Sequence, residues 1–584
     1  MKNLVPMGIV LIVVLSGLGA GASSNNDTEQ LITDTTYFSQ PKLLQTDTFC
    51  TVELAEATSY LLGPNNPHLP LITQVYYLPW GTSVDSVDVV FSEPQVIHLT
   101  SKIRPGRTPQ VISQKYSKGE TTADYPIADT YPSEPFTYRV GAGLHNGNRE
   151  IILSVHYSPL RYRPSEDTVL FSERVDITVR YTPPRHLIVF SDAYDLLILA
   201  PSEYTAELQT LANHKNSKGI STKLVALEEI PSSGYDIQES IKYYIKQAVE
   251  TWGITYVLLV GSGVKGSEKF PVRNTWVPTQ GYEEYFPSDL YYADLYNAAL
   301  GFSSWDSNGN HRYGEFPYDN NAVDLYPDVY LGRLACQDLT EVKTVVQKII
   351  SYSTKNTMTN KIVQMGGDTF PGDAENINEG EYCNERVMEK LPGYTTTQLW
   401  GSNGKLTKMN CILAFYQNAD FVDFSGHGSY ASWATHPPGD DSVWIPQGYR
   451  WNGFLFIDAT WMYNFYKLPV VVFNACSCSK FSETANCLSW SLVQKKMGGA
   501  IATYGASGIG YGSYGSSEDD QLFGWMEVHL FEGLYNDKIL GKVWGECITA
   551  YTTTFIAGGG QVFDADYKTV EELTLLGDPS LAIQ

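Results

Sequence analysis

The sequence predicts a doubly wound α/β fold with a mainly parallel sheet, preceded by a β-sandwich-like N-terminal domain. Up to about residue 185, short segments of alternating apolar and polar residues, such as "SVDVVFSEPQVIHL", are separated by turn residues. This alternation is typical of antiparallel strands with one buried face. Beyond residue 185, strands that are apolar throughout, such as "ITYVLLVGSG", alternate with helical patterns. Such strands indicate a parallel sheet that is covered on both faces.

The N-terminus has the pattern of a secretory signal peptide. It contains one lysine, an apolar run through Leu18 and the small residues Ala20-Gly21-Ala22, which form an A-x-A cleavage site. We expect residues 1–22 to be removed, leaving a secreted, extracellular or cell-surface-associated protein with no stable membrane insertion. An uncleaved anchor is the alternative, because the apolar run is close to the lower length limit for spanning a bilayer.

Residues 23–185 are predicted to form the β-rich domain. Strand patterns continue to "RVDITVRYTPP", where a pair of prolines stops the last strand. A weak pattern over residues 53–60 is the one helical signal in this part of the chain.

From residue 186 the strand–helix alternation begins. The segment "SEYTAELQTLANHKNSKG" predicts a helix with Ser202 as its N-cap and Gly219 at its end, and "YDIQESIKYYIKQAVETWG" predicts a second helix. Later strands end in the junctions "DFVDFSGHG", "LPVVVFNAC" and "GGAIATYGAS". We expect two packed α/β subdomains, residues 186–350 and 351–584, with six or more parallel strands and a ligand site beyond the strands' carboxyl ends.

Charge and cysteine content exclude several classes of protein. The chain has 64 acidic and 40 basic residues and a formal charge of −24, which argues against unaided nucleic-acid binding. An acidic surface instead favours solubility and cationic substrates. Eight cysteines are too few for a small secreted disulfide scaffold.

The strand ends carry the residues that could perform chemistry. His427 and Cys476 each follow a predicted strand, so both project from the same edge of the sheet. A thiol nucleophile needs a neighbouring base, and a histidine supplies one. The N–H of Gly428 could face a developing oxyanion, and a helix predicted over residues 483–496 could assist ionisation of the thiol through its dipole.

The segments "SGHGSYASWA" and "FNACSCSKFSETANCLSWSLVQKKMGGAIATYGAS" resemble the catalytic core of the gingipain-type cysteine peptidases, peptidase family C25 of the caspase-like clan. The matching positions are His427, Gly428, Ser429, Trp433, Ala475, Cys476, Phe481 and Cys487. The resemblance covers residues 187–584 and implies a caspase-like core. It also implies an endopeptidase that acts on proteins or peptides through a Cys-His dyad and needs no cofactor for catalysis.

Further expectations follow from the resemblance. Trp433 would wall a substrate pocket, with a buried core tryptophan as the alternative. The β-rich domain resembles a propeptide that acts as an intramolecular inhibitor, and Arg185 is either a processing site or an ordinary linker residue. Family and charge together predict a preference for a basic residue before the scissile bond.

Several assignments stay open on the sequence alone. Asp368, at the end of the strand "KIVQMGGD", could orient the imidazole, with Glu379 and Glu381 as alternatives. Cys478 departs from the family pattern and would be either half of a redox-sensitive pair with Cys476 or a small buried residue.

The sequence offers two possible metal sites. In "WDSNGNHRYGE", the oxygen ligands Asp306, Asn308, Asn310 and Glu315 could hold a structural calcium ion, or form a plain polar turn. A zinc site built from the Cys-x-Cys segment with His427 and His436 is disfavoured, because tetrahedral zinc sites usually have other spacings. A non-catalytic secreted scaffold or adhesion module with the same fold is the alternative function.

Overall fold

The computed structural model of the 584-residue chain describes residues 29–46, 48–63, 66–112, 125, 129–185, 190–278, 283, 285–319, 323–355, 357–373, 375–465, 467–556 and 564–583. The predicted signal peptide, residues 1–22, lies outside the described residues.

The N-terminal part is built from antiparallel strands. Its strands are β1 Gln30–Tyr37, β2 Lys42–Gln45, β3 Cys50–Glu53, β4 Ser59–Leu61, β5 Leu69–Pro79, β6 Ser83–Phe91, β7 Gln95–His98, β8 Gln110–Val111, β9 Phe136–His145, β10 Asn148–Tyr157, β11 Leu160–Arg163, β12 Thr168–Phe171 and β13 Arg174–Thr182. They form small sheets in the orders β1-β13-β6, β4-β5-β10-β9, β11-β12-β7 and β2-β3. The β-rich prediction is therefore confirmed. The weak helical pattern over residues 53–60 does not correspond to a helix, because this segment is a turn between two short strands.

The rest of the chain alternates strands and helices. Its strands are β14 Leu196–Ala200, β15 Thr222–Ala226, β16 Tyr256–Val260, β17 Asn274–Thr275, β18 Phe286–Pro287, β19 Tyr330–Leu334, β20 Lys361–Gly366, β21 Thr395–Trp400, β22 Phe421–Ser425, β23 His427–Gly428, β24 Ser432–Ala434, β25 Phe454–Leu455, β26 Val470–Asn474, β27 Ala502–Ala506, β28 Tyr511–Gly512 and β29 Leu573–Leu576. Its α-helices are α1 Ser202–Ser217, α2 Ile237–Trp252, α3 Leu339–Lys355, α4 Glu379–Lys390, α5 Lys408–Ala414, α6 Leu488–Val493, α7 Leu522–Asn536, α8 Leu540–Tyr551 and α9 Asp564–Glu572.

One sheet of ten strands runs through this part, in the order β15-β14-β16-β19-β29-β27-β26-β22-β20-β21. All neighbours are parallel except β27 and β29, which pair antiparallel. The sheet thus consists of two parallel halves that run in opposite directions and join edge to edge. The doubly wound, mainly parallel fold is confirmed, and its two halves share one sheet.

Local details differ from the sequence prediction in two places. Helix α1 is capped by Pro201, and Ser202 is its first residue, with a hydroxyl that donates to Glu228 (3.0 Å). The boundary expected at residue 350 falls inside α3. Helix α2 matches its prediction, with Asp236 as N-cap and Gly253 in the left-handed conformation at its end.

The β-rich part packs directly on the α/β part. A Cβ added at Gly141 in β9 would lie 2.2 Å from the ring of Tyr326, so the strand can approach this ring only because it carries glycine there. The guanidinium of Arg149 in β10 donates to the carbonyls of Ile254 (2.6 Å) and Asp328 (3.1 Å). Among the described residues, no helix is both long and apolar enough to cross a bilayer.

Candidate active site

Two neighbouring parallel strands place His427 and Cys476 at equivalent positions. In the register of β22 and β26, Ser425 lies opposite Asn474. The N–H of Gly426 donates to the carbonyl of Asn474 (3.0 Å). His427 and Cys476 each stand two residues beyond the matched pair. The structure therefore brings both residues to one edge of the sheet, which is the predicted placement.

The segment after His427 lies directly on the segment that carries Cys476. A Cβ added at Gly428 would lie 2.4 Å from the carbonyl oxygen of Cys476 and 2.7 Å from the sulfur of Cys478. Only glycine fits at this approach. Gly428 and Cys476 also line one cavity of about 500 Å³, whose wall includes Tyr430 and Lys480. Gly428 thus lies close to the backbone of Cys476, the candidate nucleophile.

The thiol of Cys476 is held in its neutral form. Its sulfur donates a hydrogen bond to the carbonyl of Gly510 (3.6 Å). Burial, reinforced by the carboxyl of Glu572, raises the pKa of Cys476 to about 12. At neutral pH this residue is a thiol and not the reactive thiolate.

The backbone turns sharply just after Cys476. Ser477 adopts a left-handed conformation with φ of 56°, which a residue with a side chain rarely takes. The N–H of Ser477 donates to the carbonyl of Gly508 (2.7 Å). The expected helix dipole is not available to the thiol, because α6 has six residues and begins only at Leu488. Cys487 precedes this helix as its N-cap and does not lie within it.

The imidazole of His427 is also neutral. Burial, with help from the nearby His436, lowers the pKa of His427 to about 4. Its Nε2 lies 2.8 Å from the carbonyl oxygen of Thr369. A carbonyl can only accept, so Nε2 carries the proton and Nδ1 carries the lone pair. Within the described part of the chain, Nδ1 is buried without a hydrogen bond of good geometry.

A backbone carbonyl, and not the expected carboxylate, orients the imidazole. Asp368 precedes Thr369, but its carboxylate accepts from the N–H of Gly439 (2.7 Å), and burial raises the pKa of Asp368 to about 6. Glu379 holds the loop, since its carboxyl oxygens accept from the N–H groups of Thr369 (3.1 Å), Phe370 (3.1 Å) and Gly515 (2.9 Å). Glu379 therefore positions the acceptor of His427 from the first turn of α4.

The tryptophan beside the imidazole is not the one that the sequence indicated. Trp433 is fully buried and packs edge-on against Phe424 at 5.1 Å, so the core alternative describes it and the pocket-wall expectation does not. Trp444 instead stands 5.0 Å from the ring of His427 and 3.9 Å from that of His436, partly exposed to solvent. No spacing in the sequence marked Trp444.

Cys478 is fully buried, and burial raises the pKa of its thiol well above the ordinary value. It packs in a core cluster together with Trp433 and Phe424. This placement is that of a small buried residue.

The four residues of the predicted calcium loop lie close together, and they form hydrogen bonds within the loop. The side-chain amides of Asn308 (3.2 Å) and Asn310 (2.8 Å) donate to Glu315, and the carboxylate of Asp306 accepts from the N–H groups of Asn310 (3.0 Å) and His311 (3.1 Å). Among the described residues, no group of three His, Cys, Asp or Glu side chains is placed to hold a metal ion. The loop closes through its own hydrogen bonds, and calcium binding stays a prediction.

A strand from the N-terminal part covers this site. Val111 in β8 pairs antiparallel with Tyr511 in β28. The N–H of Ile112 donates to the carbonyl of Gly510 (3.1 Å), which also accepts from the thiol of Cys476. The backbone of Ile112 lies close enough to His427 to favour its protonated form slightly. Residues 110–112 thus lie across both candidate catalytic residues as an added strand.

Upstream of this strand, two arginines anchor the segment in an acidic surface. The guanidinium of Arg107 is mostly buried, pairs with Glu375, donates to the carbonyl of Tyr514 and lies 4.5 Å from the centre of the Tyr514 ring. Arg104 donates to the hydroxyl of Ser517 (2.8 Å). Sequence reasoning missed this pocket, because the carboxylate of Glu375, the ring of Tyr514 and the bound Arg107 come from three distant segments.

Comparison with known families adds to this geometry. The sequence model of peptidase family C25 matches residues 191–584, which is more than half of the chain. The chain belongs to peptidase family C25. All of the candidate catalytic residues fall inside the matched region, whereas Arg104, Arg107 and Ile112 fall outside it.

Curated C25 relatives are distant. The chain is similar to gingipain R2 of Porphyromonas gingivalis, with 22% identity over 392 residues, 60% of this chain and 46% of that protein. It is also similar to gingipain R1 of P. gingivalis, with 22% identity over 369 residues, 57% of this chain and 32% of that protein. The chain thus spans less than half the length of these relatives. A solved complex of the pro- and mature domains of P. gingivalis RgpB is 20% identical, with a TM-score of 0.47, covering 67% of this chain and 80% of that one.

Proposed function

We propose that this chain is the latent precursor of a secreted cysteine endopeptidase, with Cys476 as nucleophile and His427 as general base and acid. The observation that carries the proposal is the equivalent position of the two residues at the ends of neighbouring strands, beside one cavity. A thiol nucleophile needs a base close to it, and strand ends that lie side by side bring a histidine near the thiol.

In the proposed mechanism, Nδ1 of His427 takes the proton of the Cys476 thiol, and the thiolate adds to the carbonyl carbon of the scissile peptide bond. The N–H groups of Gly428 and Cys476 would donate to the resulting oxyanion. The imidazolium then returns its proton to the leaving amine as the C–N bond breaks. A water molecule, deprotonated by the same imidazole, hydrolyses the thioester and regenerates the thiol.

The cleft next to Cys476 supports an extended substrate. A second cavity of about 640 Å³ shares Tyr285, Lys480 and Glu483 with the cavity that holds Cys476. The two cavities adjoin through these side chains, so a peptide could extend from the thiol along both. This length favours an endopeptidase over an enzyme that removes single terminal residues.

The N-terminal domain would act as intramolecular inhibitor. Residues 110–112 occupy the strand position that a substrate would take beside Cys476. Under this cover the thiol and the imidazole are both neutral and buried. Release of the segment would let water and substrate reach the pair, and cleavage after Arg185 is one route to such release.

The pocket that holds Arg107 supports a preference for substrates with basic side chains. Glu375 supplies a carboxylate and Tyr514 an aromatic face, which together suit a guanidinium. When the N-terminal segment leaves, this pocket becomes free for a substrate arginine. Asp440 and Asp441, which follow the His427 segment in the sequence, are exposed at a turn and do not line this pocket.

A non-catalytic scaffold with the same fold is the second candidate, and it is favoured by the complete burial of Cys476 in the structure. Full-length protein treated with a protease that cuts near Arg185 should separate the two. We expect new activity on arginine reporters, lost in Cys476→Ala and retained in Cys478→Ala. If the cut protein cleaves nothing in a broad peptide library, the scaffold reading holds. If activity survives Cys476→Ala and disappears with Cys478→Ala, the nucleophile assignment is wrong.

A further inference from the structure

Large apolar side chains are concentrated in solvent on one face of the α/β part. Trp451, Trp461, Tyr463, Phe465 and Met497 are each between 45% and 67% exposed. Soluble proteins rarely leave so many large apolar groups together in water without a partner. We call this set of five residues the aromatic face.

Hydrogen bonds connect the backbone segments that carry these side chains. The hydroxyl of Tyr416 donates to the carbonyl of Trp461 (2.6 Å) and accepts from the N–H of Tyr463 (3.0 Å). The N–H of Phe465 donates to the carbonyl of Met497 (3.1 Å). Lys408 in α5 reaches the carbonyl of Trp451 (3.4 Å). The five exposed side chains therefore stand on adjoining segments of the chain.

The charge around the aromatic face is opposite to that of the chain as a whole. Segments 403–418, 444–467 and 494–500, which build this surface, contain six basic residues, Lys405, Lys408, Arg450, Lys467, Lys495 and Lys496. They contain one acidic residue, Asp458, which Lys408 pairs at 3.3 Å. In a chain of formal charge −24, this local excess of positive charge is unusual.

Aromatic rings and basic heads also touch within the surface. The ammonium of Lys495 lies 4.0 Å from the centre of the Tyr463 ring, and the guanidinium of Arg450 lies 5.2 Å from that of Trp451. Tryptophan, tyrosine and phenylalanine side chains interleaved with Lys and Arg are typical of proteins that lie in the interface of a bilayer. Protein–protein interfaces, in contrast, are depleted in lysine.

From this surface we propose that the aromatic face docks on an anionic lipid bilayer. Trp451, Trp461 and Phe465 would enter the headgroup region while Arg450 and Lys496, both exposed, meet lipid phosphates and carboxylates. The binding is peripheral, through side chains on one surface. Because β25 joins this surface through β24 to β23, which carries His427, docking would hold the cleft close to the membrane. The proposal does not depend on peptidase activity.

Co-sedimentation of the full chain with vesicles tests the proposal. Binding is expected to phosphatidylcholine vesicles that contain phosphatidylserine, and to weaken with added salt. Each basic residue near such a surface strengthens binding by about fivefold. The double variant Arg450→Gln with Lys496→Gln should therefore bind at least about tenfold more weakly, and Trp461→Ala should also weaken binding.

Matched controls lie on other surfaces. Lys218→Gln with Lys265→Gln removes two exposed lysines away from the aromatic face, and Tyr318→Ala removes an aromatic side chain that is 66% exposed. Neither should change vesicle binding, and circular dichroism checks that each variant is folded. Equal loss in the controls, or no binding to phosphatidylserine vesicles at low salt, would overturn the proposal. Retention on heparin without vesicle binding would also overturn it and identify an anionic polymer as the partner.

Discussion

The thiol of Cys476 and the backbone N–H of Ile112 hydrogen-bond to the same acceptor, the carbonyl of Gly510, at 3.6 Å and 3.1 Å. One residue belongs to the C25 region and the other to the N-terminal part that precedes it. A bound peptide that pairs with β28 would meet the same carbonyl. The structure thus links the state of the candidate nucleophile to the position of a single N-terminal strand.

Arg107→Ala should loosen this strand. The substitution removes an ion pair with Glu375 and a hydrogen bond to Tyr514. Hydrogen bonds to charged groups contribute about 1.5–3 kcal/mol each, so the uncovered population should rise about tenfold or more. The rate at which iodoacetamide labels Cys476 in the full chain measures this population. Arg180→Ala, on an exposed position of the same domain, is the control and should leave the rate unchanged.

His427 should make the folded protein sensitive to acid. Its pKa is about 4 in the structure, below the ordinary value of about 6.5. Between these two values the unfolded chain binds more protons than the folded chain, so stability falls as the pH falls from 6.5 towards 4. The full effect is on the order of 3 kcal/mol.

Urea unfolding at pH 7 and pH 5 tests this. The loss of stability between the two should be smaller in His427→Gln than in the parent chain. His68, His156 and His529, whose pKa values are also lowered by burial, contribute in the same direction, so some acid dependence remains in the variant. An unchanged difference would show that His427 is accessible to protons while folded.

Parts of this site could be predicted from sequence because they depend on local pattern. Apolar strands followed by glycine or a small residue mark the ends of β22 and β26, and the parallel rule then places His427 and Cys476 at one edge. The antiparallel joint between β27 and β29 could not be predicted in this way, because β29 is four residues long and comes from the end of the chain.

Other features depend on contacts between distant segments. The sequence predicts a helix over residues 483–496, yet residues 483–487 form turns. Helix α6 begins only at Leu488, whose N–H donates to the carbonyl of the distant Tyr430 (2.7 Å). Trp433 lies on β24 with its ring turned into the core, so the side that it faces is set by pairing with β25. Neither result could be predicted from the local sequence.

Glutamine in place of Glu379 should cost less stability than alanine. Burial raises the pKa of Glu379 to about 8, so its carboxyl is largely protonated at neutral pH, and its two oxygens accept three backbone N–H groups. Glutamine keeps one acceptor oxygen and the size of the side chain. Alanine leaves three buried donors unpaired, at about 1–3 kcal/mol each.

The raised pKa also has a consequence at high pH. Because the folded pKa of Glu379 exceeds its ordinary value, its contribution to stability is lost as the pH rises towards 8. Glu379→Gln should remove this loss, and thermal unfolding between pH 5 and pH 9 measures it. Glu385→Gln, exposed on the same helix, should behave like the parent chain. If Glu379→Gln destabilises as much as Glu379→Ala, the carboxyl is ionised in the folded state.

Trp444→Ala should change the pKa of His427 more than it changes the stability of the fold. Trp444 is partly exposed, and its ring shields those of His427 and His436 from solvent at 5.0 Å and 3.9 Å. Its removal hydrates His427, and because burial is the main cause of the lowered pKa, that pKa should rise towards 6.5. Imidazole proton resonances followed through a pH titration report the shift directly. Trp461→Ala, a more exposed tryptophan away from the site, is the matched control and should leave the resonance of His427 unchanged. An unshifted His427 in Trp444→Ala would mean that the N-terminal strand alone keeps water from the imidazole.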